Sequence, residues 1–78
     1  MTRRETYTVR PRTDGGWEVV NGNGTCLLRR DTKRDAVSAG AKRARNRTMD
    51  SVFRDGSPSR LVVKLADGRR IDEERFYG

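Results

Sequence analysis

Residues 31–47, DTKRDAVSAGAKRARNR, are where the chain changes period. Upstream, apolar and polar residues alternate, as in a strand. Within the stretch Ala36, Val37, Gly40, Ala41 and Ala44 recur at three- and four-residue spacing, which at about 100° per residue gathers them on one helix face. Asp31-Thr32 offers an N-cap, and Asp35, three residues after Thr32, resembles a capping box with Asp in place of Glu. A face of Ala and Gly lets a helix lie close against a sheet. Gly40 costs that helix about 1 kcal/mol of propensity, and close packing is the reason to tolerate it. One helix set between runs of strands makes the class α+β.

Working outward, three turn signals divide the rest: Asp14-Gly15-Gly16, Asn21-Gly22-Asn23-Gly24 and Asp67-Gly68. Thr6 to Arg10 alternates polar and apolar, Trp17-Glu18-Val19 repeats the pattern, and Thr25 to Arg29 supplies a third strand, so the first half reads as a meander. Leu61 to Leu65 predicts a fourth strand. Asp67-Gly68 turns it into a short fifth around Ile71, and the tail to Gly78 packs back through Phe76 and Tyr77. The expected architecture is a single small domain over 1–78, an antiparallel sheet in the order β-β-β-α-β-β with one helix packed on one face. Tyr7, Val9, Trp17, Val19, Leu28, Leu61, Val63, Leu65 and Ile71 face that helix. In an unbroken helix Met49 and Phe53 would point away from the Val37-Ala41-Ala44 stripe. A break is therefore expected near Asn46 to Thr48, then a short apolar turn with Val52, then a loop from Asp55 to Ser59 around the helix-stopping Pro58.

Composition removes several functional classes. Leu, Ile, Val and Phe number 14 of 78 residues, about 18%, so the core is thin. The longest apolar run, Leu61-Val62-Val63, is far short of the roughly 20 residues of a membrane span. Met1 to Glu5 leads into Thr6-Tyr7-Thr8 with no apolar stretch of a secretory signal, and a reducing, cytoplasmic setting is the expectation. Cys26 is the single cysteine and there is no histidine, which rules out an intrachain disulfide, the usual zinc sites and imidazole acid–base chemistry. Cys26 reads as a small strand residue with no base to activate it. Asp67, Asp72, Glu73 and Glu74 read as turn and surface charge, not a cation site. No catalytic residue, metal, cofactor or small-molecule substrate is expected, and the chain reads as a non-enzyme.

Charge is the strongest functional signal. The 18 Lys and Arg against 11 Asp and Glu leave +7, and the excess is uneven: +3 over residues 1–30, +4 over 31–47 and none over 48–78. On a helical wheel Arg34, Lys42 and Arg45 share a flank with Ser38. A cationic stripe of this kind is the footprint of phosphate-backbone binding, and fifteen Arg against three Lys suits bidentate phosphate contacts. The candidate nucleic-acid-binding residues, for DNA or RNA, are Arg29, Arg30, Lys33, Arg34, Lys42 and Arg45. No base-reading motif is present, so backbone contact without strong sequence specificity is the expectation. The competing reading is a homodimer or partner-binding module on the open sheet face or an edge strand, because Val20, Leu27 and Val62 would lie wet opposite the helix.

Taken together, Tyr7-Thr8-Val9-Arg10-Pro11, Asp14-Gly15-Gly16-Trp17, Asp31-Thr32-Lys33 ahead of an Ala-rich helix, and Leu61-Val62-Val63 with Asp67-Gly68-Arg69 and Phe76-Tyr77-Gly78 resemble the bacterial domain of unknown function 2188. The resemblance covers nearly the whole chain. The departure is Thr48 to Ser59, longer than the usual helix-to-strand link of that family. The family has no established activity, so the resemblance supports the fold and supplies no mechanism.

Overall fold

The computed structural model describes residues 4–51 and 58–77, with main chain alone for 47–51. Strands β1 (Glu5–Pro11), β2 (Trp17–Val20) and β3 (Cys26–Arg30) precede helix α1 (Lys33–Ser51), and β4 (Ser59–Lys64) and β5 (Ile71–Tyr77) follow it. The meander forms as expected, β1 pairing antiparallel with β2 and β2 with β3. Its turns are closed by the residues that signalled them. The Asn21 Oδ1 accepts from the amides of Asn23 (3.0 Å) and Thr25 (2.9 Å). Gly16 sits at φ +76°, and a Cβ there would meet the Arg30 carbonyl oxygen at 2.9 Å, so both conformation and space exclude a side chain. The helix starts where its cap predicts, with Thr32 Oγ1 accepting from the Asp35 amide at 3.2 Å.

The sheet corrects the expectation in two respects. It is mixed, not antiparallel, and its spatial order is β3-β2-β1-β4-β5, not the order of the chain. β4 lies parallel to β1, from Glu5 opposite Ser59 to Val9 opposite Val63. The 19 residues of α1 span about 28 Å, enough to carry the chain back along the sheet, so the strand that follows runs in the direction of β3 and β1. Leu61, Val62 and Val63 are all buried, the mark of a strand covered on both faces, and that places β4 in the interior of the sheet. β5 then pairs antiparallel with β4 as an edge. It reaches Tyr77, so the expected tail is strand.

Helix α1 continues through 46–48 to Ser51 without the expected break. Nothing between Asn46 and Ser51 forces one: no Gly or Pro occurs there, and a drifting apolar stripe is weaker than main-chain hydrogen bonding. Of the expected apolar turn and loop, Val52, Phe53 and residues 55–57 lie outside the described residues, as does the side chain of Met49.

Tyr7, Val9, Val19, Leu61 and Val63 meet Ala36 and Ala44 in the core, with Trp17, Leu28, Val37, Ala41 and Tyr77 packed around them. Ser59, fully buried, donates its hydroxyl to the Ala44 carbonyl at 2.8 Å and ties the start of β4 to the helix. Two side chains lie on the opposite side from the one expected, each because of a bulge. Between β2 and β3, Val19 faces Leu28 but Val20 faces Cys26, so Leu27 is the extra residue and packs against the core instead of the open face. Between β4 and β5, Val63 faces Glu73 but Lys64 faces Ile71, so Asp72 is extra and Ile71 leaves the core face, 49% exposed. Val20 and Val62 do point away from α1, yet they are 3% and 5% exposed.

Candidate functional site

Alternation along β5 puts Glu73, Arg75 and Tyr77 on the helix side of the sheet, where Tyr77 packs on the core. Beside them runs the outer flank of α1. The two elements bound an open groove of about 520 Å³ walled by Lys33, Arg34, Lys42 and Arg45 from the helix and by Glu73 and Arg75 from β5, with Val37 and Ala41 at its base and Ser38 on the helix wall. From Arg34 to Arg45 the helix rises about 16 Å, so the cations form a file along its axis.

Ion pairing decides which of these charges are free for a ligand. Lys33 Nζ pairs with Asp72 Oδ2 at 2.6 Å and stands over the Trp17 ring, 5.6 Å from its centroid, so the bulge residue of β5 holds the first turn of the helix. Arg75 pairs with Glu73 at 3.1 Å, and the hydrogen bond it donates to that carboxylate raises its pKa from the ordinary arginine value. Arg34, Lys42 and Arg45 carry no ion pair or hydrogen bond among the described residues. The helical stripe is therefore uncompensated at three of its positions, while Lys33 is engaged.

The six candidate residues do not make one patch. Arg29 and Arg30 stand on edge strand β3 beside the β1–β2 turn, where with Arg12, Asp14, Gly16 and Asp31 they line a second depression of about 330 Å³. Lys42 is the link between the two: it also borders a depression between α1 and β3 with Arg30 and Arg43. Arg75 is not among the expected site residues because, by sequence, residues 72–78 read as a tail. The alternation Glu73-Arg75-Tyr77 after a hairpin turn was the signal for it. Of the carboxylates read as turn and surface charge, Asp72 and Glu73 hold the two cations just described. Asp67 Oδ1 accepts from the amides of Arg69 (2.9 Å) and Arg70 (3.1 Å), and these bonds lower its pKa. Among the described residues no helix is long and apolar enough to cross a membrane.

On the other side of the sheet Glu18, buried, receives Arg10 Nε at 2.7 Å and an Arg12 guanidinium nitrogen at 2.8 Å. The hydrogen bond from Arg10 holds its carboxyl below the ordinary 4.5 against the opposing effect of burial. A carboxylate favoured in the fold contributes its stability above the unfolded pKa and loses it as pH falls through the lower folded value. Glu18→Gln should therefore flatten the loss of stability below pH 4.5, measured as urea midpoints across that range. An unchanged pH profile would mean the two arginine contacts carry no net free energy.

A family model described as an uncharacterized protein conserved in bacteria matches residues 7–77. No curated protein and no solved structure matches the chain. Every strand but the first two residues of β1, the whole of the helix and all the groove-lining residues fall inside the matched span: the chain belongs to the bacterial family DUF2188.

Proposed function

We propose that the chain is a non-catalytic cytoplasmic module that holds the phosphate backbone of a nucleic acid, DNA or RNA, without strong sequence specificity. The observation that carries this reading is the file of Arg34, Lys42 and Arg45 along a groove, exposed and uncompensated among the described residues, with Arg75 on the facing wall. Cations without carboxylate partners gain most from phosphate, because binding releases condensed counterions without first breaking an internal pair. Lys33, Arg29 and Arg30 extend the positive field to either side.

A mobility-shift titration of a random duplex at two salt concentrations tests it. The expected log–log slope is about −0.9 per phosphate contact. Replacing Arg34, Lys42 and Arg45 together by Ala should weaken binding and flatten the slope by about 2.7 if all three touch phosphate. Absence of binding at low salt ends the reading.

A homodimer or partner-binding module is the second reading, and β5 favours it. This edge strand carries Ile71 and Phe76, exposed at 49% and 59%. Both lie on the open face, so its exposed apolar surface comes from them and not from the expected Val20 and Val62, which are already covered. A monomer in sedimentation at high concentration would count against it.

A further inference from the structure

Opposite the helix, the sheet carries a second positively charged surface. Leu61 and Val63 enter the core, so Arg60, Val62 and Lys64 point the other way, and Arg60 stands beside Phe76 across the β4–β5 ladder. Phe76 is 59% exposed. The Arg4 guanidinium lies 5.4 Å from its ring centroid and is fixed there by a 3.0 Å bond to the Ser59 carbonyl. The Arg60 Nε–H is buried and has no partner among the described residues. Turning that guanidinium toward an incoming acceptor would therefore break no existing hydrogen bond. One end of the open face thus joins an exposed aromatic ring to two guanidinium groups.

We propose that this face binds single-stranded nucleic acid, an unpaired base stacking on the Arg4–Phe76 pair and the adjacent phosphates meeting Arg60 and Lys64. The inference shares its ligand class with the proposed function but uses a different surface. Charge complementarity selects the occupant: among the described residues of this face Glu74 is the carboxylate on the neighbouring strand and Glu18 is already held by Arg10 and Arg12, so Arg4, Arg60 and Lys64 leave it positive, and a second copy would set like charges against one another. The aromatic ring selects the strandedness. An exposed ring gains from a base whose face is free, and in a duplex those faces are already stacked on their neighbours.

Fluorescence anisotropy on the full chain, with a labelled mixed-sequence oligonucleotide as single strand and as duplex, in DNA and in RNA form, tests this. Phe76→Ala should weaken single-strand binding by about tenfold and leave duplex binding unchanged, while Phe76→Trp keeps it. Arg60→Gln should flatten the single-strand salt slope by about 0.7 and does not depend on the Phe76 variant folding. Loss in either the DNA or the RNA arm supports the site and names the sugar. Single-strand affinity insensitive to Phe76→Ala, or an equal loss for strand and duplex, overturns it while leaving the helix reading standing. If the wild type binds neither form, the proposed function itself has failed.

Discussion

Replacing Gly40 with valine should destabilise the fold by about 3 kcal/mol or more, at the upper end of what overpacking costs. The reason is the distance at which α1 lies on the sheet. A Cβ on Gly40 would meet Leu61 Cδ1 at 3.0 Å, Val9 Cγ2 at 3.2 Å and Val19 Cγ2 at 3.3 Å, one side chain from each of β4, β1 and β2. A single methyl already presses on all three. Two further γ-carbons have nowhere to go unless the helix lifts, and a lifted helix uncovers the core and opens the groove along β5. Gly40→Ala is the control. There the gain in helix propensity, about 1 kcal/mol, offsets much of the crowding, so a much smaller change is expected. Urea unfolding followed by Trp17 fluorescence measures both. A valine variant as stable as the alanine one would mean that the helix stands off the sheet by more than these contacts allow.

Leu61→Ala should cost 2–5 kcal/mol, the usual range for truncating a fully buried leucine. Leu61 is the largest fully buried side chain among the described residues and lies directly beneath Gly40. A domain of 78 residues has a total stability on the order of 4–12 kcal/mol, so this one truncation removes a large share of it. The urea midpoint should fall with the slope of the transition unchanged. A loss below about 1 kcal/mol would show that the helix settles into the space. The two sites also couple. With Leu61 shortened, the atom nearest the Gly40 position is gone, so Gly40→Ala in the Leu61→Ala background should be more favourable than in the wild type.

Both changes act at the one place where the amino-acid sequence by itself explains an unfavourable residue. Gly40 in a helical stripe of alanines is unfavourable locally and sensible only if something presses on it. The stripe, the Thr32 cap and the three turns were legible because each is decided within a few residues, by hydrogen bonds and by conformations that Asn and Gly adopt readily. Arg34, Lys42 and Arg45 were legible for the same reason, since their common flank follows from helical geometry alone.

The side chains that lie on the unexpected side of the sheet share a cause as well. Period-2 counting assumes an unbroken ladder, and one extra residue turns every later side chain to the other face. Leu27 and Asp72 are such residues, so Leu27 joined the core, Ile71 left it, and the apolar patch expected from Val20, Leu27 and Val62 did not form. A bulge depends on the partner strand, which local sequence does not specify. The same holds for charge. Lys33 differs from Arg34 because β5 brings Asp72 to it across 39 residues of chain. Arg75 joins the groove because β5 runs beside the helix.

Taken alone, the order of residues determined the meander of the first three strands, the start of the helix, the turns and which helix flank is positive, since all of these are short-range. The tertiary structure decided that β4 docks parallel on β1, which bulges redirect side chains and which cations keep their charge unpaired. Those outcomes depend on pairings between residues distant in the chain, where many alternatives have similar local energies and only the packing of the whole core distinguishes them.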